Sequence, residues 1–225
     1  MLPATRVEHM FEFTYARVMT LAYQASLFDD PGAAAVVGVL DESVQRIPLD
    51  SGAWIDLRPG WVANSDSLFE DLVGAVEWRA DRREMYDRIV EVPRLVSWFG
   101  EADRLPHSTL DDAMRLLNEH YAHLDAERFA TAGLCFYRTG DDSVAWHGDR
   151  VGRSTQRDTR VAILSVGAER VLSVRPVGGG QTERFPVGHG DLIVMGGSCQ
   201  RTYEHAILKS AKTVGPRISV QFRRA

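Results

Sequence analysis

The chain reads as α+β, with helices gathered in its first half and a double-sheet barrel or jelly roll of short strands in its second. Helix-start and helix-period signals dominate before residue 130, and eight short strand patterns broken by glycine turns follow it. Composition agrees: 225 residues, 44% hydrophobic and 25% charged, describe a globular chain long enough to bury a core without disulfides. No linker or internal repeat divides it, so one domain over 1–225 is expected, with 1–129 as a helical and mixed layer and 130–225 as the β core.

Taken in order, residues 7–25 place Phe11, Tyr15, Val18 and Ala22 at helical spacing and predict a helix. Ser67-Leu-Phe-Glu70 has the form of a capping box and predicts a helix running through Trp78. The run from Ile89 to Phe99 reads as a strand, which Pro93 assigns to an edge or a bulge. Thr109-Leu-Asp-Asp112 opens a further helix, with Ala113, Leu116, Leu117 and Tyr121 on one face. Strands are then predicted over 131–138, 143–147, 160–166, 170–176, 182–187, 191–195, 203–207 and 217–223. Thr139-Gly-Asp141, Gly178–Gly180, Gly188-His-Gly190 and Gly196-Gly-Ser198 supply turns between them.

Several classes are excluded. No run of 18 apolar residues exists, and Glu8 and Glu12 interrupt the N-terminus, so neither a spanning helix nor a signal peptide is expected. Two cysteines, Cys135 and Cys199, fit a reducing cytoplasm. A net charge of −5 argues against a generic nucleic-acid binder, but it averages −11 over residues 1–129 and +6 over 130–225. Arg150, Arg153, Arg157 and Arg160 bunch in the basic part, either as a solvated loop or as a phosphate-contacting one.

The chemistry concentrates in Trp146-His-Gly-Asp149. Residues two apart on an extended chain point the same way, so His147 and Asp149 present an imidazole and a carboxylate to one point. His205 follows in a strand-like segment. Two histidines and a carboxylate make the facial triad of non-haem Fe(II) oxygenases, although a lone His-x-Asp pair is common in surface turns. The last strand adds weight: Arg217, Ser219, Gln221 and Arg223 lie on one face and Ile218, Val220 and Phe222 on the other. Such a face is either the wet side of an edge strand or a carboxylate pocket, and two guanidinium forks favour the pocket.

At these residues the chain resembles the AlkB-like Fe(II)/2-oxoglutarate dioxygenases. The resemblance covers roughly residues 90–225. It rests on ordered blocks: Pro93-Arg-Leu-x-x-Trp-Phe-Gly100, Cys135-Phe-Tyr-Arg-x-Gly140, Trp146-His-x-Asp149, Leu164-Ser-Val-Gly167, Gly188-His-Gly-Asp-Leu-Ile-Val-Met195, the stretch ending at His205, and Arg217-x-Ser-x-x-Phe-Arg223. It implies a double-stranded β-helix, a cupin-like jelly roll, with the first 129 residues as supporting layer and substrate lid. It implies Fe(II), 2-oxoglutarate and O2 as cofactors, with His147, Asp149 and His205 as iron ligands. Tyr137 matches the tyrosine whose hydroxyl contacts 2-oxoglutarate, Arg217 the arginine that pairs with its distal carboxylate, and Arg223 the second arginine, near its metal-bound end. Ser219 and Gln221 stand where asparagine and threonine are common, and Cys135 where an asparagine helps hold the co-substrate. Repair members commonly carry an acidic residue shortly after the metal aspartate, whereas here the run is Asp149-Arg-Val-Gly-Arg153.

The implied activity is oxidative dealkylation of alkylated nucleobases in DNA or RNA, through ferryl hydroxylation of the N-alkyl group with release of aldehyde, succinate and CO2. The expected partner is alkylated nucleic acid, single-stranded or with a flipped base, with no membrane and no obligate protein partner. The alternatives are the same chemistry on a protein or small molecule, and a β-barrel binding module without catalysis. Candidate substrate contacts are Trp61, expected to be exposed in an Arg-Pro-Gly turn, together with Trp98, Trp146, Arg150 and Arg153. Trp54, Trp78, Tyr86 and Phe99 read as packing residues, and Arg82, Arg83 and Arg88 as a solvated helix face. His9, His107, His120 and His123 read as structural, since none has partners in ligand spacing; His120 and His123, three apart on a helix, lack the third ligand a metal needs, and His189, between two glycines, reads as a turn residue.

Overall fold

Two antiparallel sheets face each other, and helices back the larger one. The structure is a computed structural model that describes residues 26, 29–30, 32–85, 88–124, 127–149 and 157–225. The helix expected over 7–25, Tyr86, and the loop arginines Arg150 and Arg153 lie outside the described residues. Strands β1 (Val36–Val37), β2 (Gln45–Pro48), β3 (Ala53–Arg58) and β4 (Val62–Ala63) precede helix α1 (Ser65–Ala75). A hairpin of β5 (Arg79–Met85) and β6 (Arg88–Phe99) leads to α2 (Ser108–Tyr121). Then come β7 (Thr131–Tyr137), β8 (Val144–His147), β9 (Val161–Gly167), β10 (Arg170–Pro176), β11 (Glu183–Val187) and β12 (Asp191–Gly197). Helix α3 (Cys199–Thr202), β13 (Tyr203–Ile207) and β14 (Arg217–Arg223) complete the order.

The major sheet runs β2-β3-β12-β9-β14-β7-β6-β5 and the minor sheet β11-β10-β13-β8, the interleaved order of a double-stranded β-helix. Each strand expected after residue 130 is present, with its ends shifted by two residues at most. The β-pattern explains them, and β9 shows how: Val161 and Ile163 pack between the sheets, while Ala162, Leu164 and Val166 pack under the helices. Both faces are covered, so the whole strand is buried. Strand β14 sits between β7 and β9. Ile218, Val220 and Phe222 join the helix-side core, which turns the polar face of β14 into the space between the sheets. The exposed-edge reading of that face is therefore wrong.

The first half differs from its sequence pattern in three ways. It is richer in strands, since β2, β3, β5 and β6 extend the major sheet, and Arg82, Arg83 and Arg88 lie on hairpin strands rather than on a helix. Helix α1 starts two residues before Ser67 and ends at Ala75. Its cap comes from elsewhere in the chain: Asp29 Oδ2 accepts from the Asp66 N–H at 2.8 Å, while the Ser67 hydroxyl donates back to the Asn64 carbonyl. Finally, β6 is interior rather than an edge, and it is the bulge alternative that holds: Pro93 sits opposite a pairing irregularity between Ala80 and Arg82, where no ladder donor is needed. Helix α2 forms where expected, with His107 Nδ1 accepting from Thr109 N–H as its cap and Ala113, Leu117 and Tyr121 buried.

Candidate active site

The minor sheet brings the two histidines together. His147, the last residue of β8, pairs directly across from His205 on β13, and their ring centroids are 4.3 Å apart. Asp149 lies two residues beyond His147, where its carboxylate turns to the same point; Asp149 Oδ2 is 4.0 Å from His205 Nε2. One ligand atom from each of the three lies within 4.8 Å of the others. The Nδ1 of His147 is 2.8 Å from the Ala145 carbonyl, which can only accept. Nδ1 must therefore carry the proton, and Nε2 presents its lone pair. Asp149 Oδ2 is buried with no hydrogen-bond partner, which is costly for a carboxylate unless something else satisfies it.

The polar face of β14 supplies the opposite wall. Arg217 is only 2% exposed; its Nε donates to Ser165 Oγ at 2.8 Å, and its Nη1 is buried without a partner. Tyr137, across the β7–β14 ladder, lies under this guanidinium, with 5.3 Å between ring centroid and Cζ. Arg223 Nη2 donates to Asp149 Oδ1 at 2.9 Å. Ser219 and Gln221 lie between the arginines, and the Gln221 amide donates to the Ser219 hydroxyl and carbonyl. Tyr137, His147, His205, Arg217, Ser219 and Arg223 all line one cavity between the sheets. The sequence-predicted set therefore converges.

The electrostatics suit binding of an ion and an anion. Burial opposes the charge of Asp149, but Arg223 and the two histidines outweigh it and hold the carboxyl below the usual range. Burial pushes His205 down to about 4, despite Asp149, so its imidazole is neutral at pH 7 and free to ligate. Burial also raises Tyr137 to about 12, which keeps its hydroxyl a donor.

Sequence reasoning missed two supports. The Asp149 N–H donates to Gln200 Oε1 at 3.2 Å, so α3 fixes the backbone after His147. Arg94 Nε donates to Cys135 Sγ at 3.4 Å and its Nη1 to the Ser143 carbonyl, joining β6 to the loop that leads into β8. The Pro93-Arg-Leu block contained Arg94, but nothing in its spacing pointed to the pocket.

The expected substrate residues divide. Trp61 is 1% exposed, with Nε1 donating to the Gly38 carbonyl; the Arg-Pro-Gly turn feeds it under β1 rather than into water, so it is a core residue. Trp146 is half-buried beneath Arg175, whose Cζ lies 3.9 Å from the ring centroid. Arg160 turns inward to the Glu127 carbonyl. Trp98, by contrast, is 49% exposed and lines an open cleft of about 910 Å³. Asp149 and Arg223 line the same cleft, as do Arg79, Arg94 and Arg104 and the carboxylates of Glu77 and Asp103.

A second His/Asp cluster, Asp29, Asp66 and His189, differs in kind. His189 Nδ1 accepts from the Gly167 N–H at 2.8 Å, so in the neutral ring the proton sits on Nε2, facing the carboxylates at 3.1 and 3.3 Å. That tautomer donates to Asp29 and Asp66 and offers no lone pair to a metal. His189, expected to be a plain turn residue, instead clasps the α1 N-terminus. His120 and His123 use their Nδ1 atoms on the Leu40 and His120 carbonyls.

A double-stranded β-helix with two imidazoles and a carboxylate at one end, beside a buried guanidinium whose Nη1 has no partner, defines the class of the non-haem oxygenases that use a keto diacid. The chain belongs to the 2OG-Fe(II) oxygenase superfamily, whose model matches residues 63–223, and it is AlkB-like. It is 30% identical over 185 residues to the alpha-ketoglutarate-dependent dioxygenase alkB homolog 3 of Bos taurus, a match covering 74% of this chain and 64% of that protein. It is 22% identical over 181 residues to the DNA oxidative demethylase ALKBH2 of Homo sapiens, covering 72% and 69%. The chain thus spans just under two thirds of the length of the alkB homolog 3 relative. The solved structure of OsALKBH1 shares the fold, with a TM-score of 0.53 at 15% identity, covering 80% of this chain and 100% of that one. The family's cofactors are Fe(II), 2-oxoglutarate and O2. No helix among the described residues is long and apolar enough to cross a membrane.

Proposed function

We propose that this protein is an Fe(II)/2-oxoglutarate-dependent dealkylase of N-alkylated nucleobases in DNA or RNA. The observation that carries this reading is the open cleft, walled by an exposed tryptophan and several arginines, that descends onto Asp149 beside the His147–His205 pair. His147 Nε2, Asp149 Oδ2 and His205 would hold the iron. Arg217 Nη1 and the Tyr137 hydroxyl would hold the distal carboxylate of 2-oxoglutarate, with Ser219 beside them. The iron and co-substrate, when bound, supply the oxidation of a C–H bond.

The chain's own residues do the rest. Arg223 holds Asp149 Oδ1, which leaves Oδ2 for the metal. The Ala145 carbonyl fixes the His147 tautomer, as second-shell partners do in metal sites. Ser165 holds the Nε of Arg217, whose side chain lines the cavity. The apolar side chains of Ile163, Leu172, Val187 and Ile193 surround that cavity and keep water from the anion. Arg79 and Arg104, on the cleft wall, suit phosphates flanking a base that has been turned out of its stack. The name of the ALKBH2 relative, a DNA oxidative demethylase, supports a methylated nucleic acid.

The test is turnover with Fe(II), 2-oxoglutarate and single- or double-stranded oligonucleotides carrying 1-methyladenine or 3-methylcytosine. Succinate and formaldehyde should appear as the methyl mark disappears, and His147→Ala should abolish both. Formaldehyde release with the mark intact rejects nucleobases as the substrate. The lack of an acidic residue in Arg150-Val-Gly-Arg-Ser-Thr-Gln156 keeps a non-nucleic-acid substrate as the second reading.

A further inference from the structure

The two histidines that face each other across β8 and β13 are not held alike. Strand β13 lies inside the minor sheet, between β10 and β8, whereas β8 is its edge. The edge strand has four residues, and its ladder to β13 registers at His147 opposite His205 and at Val144 opposite Ile207, with an irregularity between. His147 is its last residue. Short edge strands and strand ends open easily, so the backbone alone gives that imidazole little support.

The outer face of the minor sheet carries a device that ties the two strands. Val174, His205 and His147 face the space between the sheets, so their chain neighbours Arg175, Glu204 and Trp146 face outward. Arg175 on β10 pairs directly with Glu204 on β13, and its Nε donates to Glu204 Oε1 at 2.6 Å. Its guanidinium continues across β13 to the Trp146 ring on β8, with Cζ 3.9 Å from the centroid. The next outward residue of β13 is Ala206, buried and ending in a methyl, which leaves that crossing open. One guanidinium thus grips the residue before each histidine. A second arginine shows the same device without that consequence. Arg46 on β2 pairs with Asp56 on β3 and lies 3.9 Å over Trp54 of that same strand, so it ties two strands of the other sheet.

We propose that Arg175 is a positioning residue for the metal centre: by clamping Trp146 and Glu204 from outside the barrel, it fixes the separation of His147 and His205 inside it. Trp146, a candidate substrate contact by sequence, then serves the metal rather than the substrate. The proposal rests on the reading of His147 and His205 as metal ligands, and the experiment separates the two. Wild type, Arg175→Met, Arg175→Lys, Trp146→Leu, the Arg175→Met/Trp146→Leu double variant, Arg46→Lys and His147→Ala are titrated with Mn(II) in the presence of 2-oxoglutarate and without O2. Co(II) absorption, whose d–d bands follow coordination geometry, and thermal unfolding before metal is added are read in parallel.

Arg175→Met should weaken Mn(II) binding about tenfold or more, as loss of a group that orients a metal ligand does, and should shift the Co(II) bands. Arg175→Lys keeps a charge for Glu204 but no planar face for Trp146, and should recover part of the loss. The double variant should bind within about twofold of Arg175→Met, because both substitutions remove one shared contact. Arg46→Lys should bind Mn(II) within about twofold of wild type, even where its unfolding midpoint falls as far as that of Arg175→Lys. If Arg175→Met binds as wild type while His147→Ala does not, the clamp is refuted and the ligands stand. If His147→Ala binds as wild type, the ligand reading falls and the clamp with it. Equal losses of Mn(II) affinity in Arg175→Lys and Arg46→Lys reduce the effect to general stability and overturn the proposal. Should Arg175→Met fail to fold, Arg175→Lys and Trp146→Leu decide: weaker binding than Arg46→Lys supports the clamp, and binding as wild type refutes it.

Discussion

Replacing Arg217 by methionine should move stability and co-substrate binding in opposite directions. Arg217 is 2% exposed; its Nε donates to Ser165 Oγ, Tyr137 is a further polar neighbour, and Nη1 has no partner. Burial pushes its guanidinium pKa down, the direction expected of a charge that the fold does not compensate. Even a buried ion pair can commonly be exchanged for apolar side chains of similar volume at no cost or with a gain of about 1–4 kcal/mol, and a buried guanidinium with no carboxylate partner has less attraction to lose. A gain of about 1 kcal/mol raises the midpoint by about 2–4 °C in a chain of this size. Losing a charge-assisted partner of a carboxylate costs binding about 2–5 kcal/mol, or roughly 30- to 5000-fold. The assay is thermal unfolding with Mn(II) and a 2-oxoglutarate titration. Wild type should rise by an amount set by ligand saturation, about 2.7 kcal/mol at a hundred times Kd. Arg217→Met should start at or above wild type and not respond. A variant that starts lower and still gains midpoint with 2-oxoglutarate would refute the assignment of Nη1 to the distal carboxylate.

Three more outcomes follow from the same geometry. Cys135→Asn puts an amide donor on the cavity wall beside Ser219, where a thiol donates weakly, and a net hydrogen bond of about 0.5–1.5 kcal/mol should tighten 2-oxoglutarate by about 2- to 13-fold in calorimetry. Trp61→Ala should destabilise by about 3–5 kcal/mol in urea titration, since the ring is core, with no specific loss of oligonucleotide affinity in protein that remains folded. Asp29→Ala removes the acceptor at the α1 N-terminus and one carboxylate facing His189; it should cost about 1 kcal/mol in the same assay and leave Mn(II) and 2-oxoglutarate affinities unchanged, which would separate this cluster from the active site.

Much of the site was legible because its chemistry is carried by short periodic pieces. His147 and Asp149 are two apart on an extended segment, and Arg217, Ser219, Gln221 and Arg223 alternate with apolar residues on one strand, so local geometry alone puts each set on one side. The strands after residue 130 were legible for the same reason, since their period and their glycine turns are local properties. What the tertiary structure alone decided depends on residues distant in the chain. The direct pairing of His147 with His205 is a register between β8 and β13. The burial of the polar face of β14 follows from β7 and β9 flanking it and helices covering its apolar side. Trp61 and Trp98 look alike as sequence, yet one is buried with its Nε1 on the Gly38 carbonyl and the other is exposed on the cleft wall. The cap of α1 comes from Asp29 rather than from its own first turn. Periodicity fixes which way a side chain points along its own strand, but pairing and packing across the chain determine what it then meets.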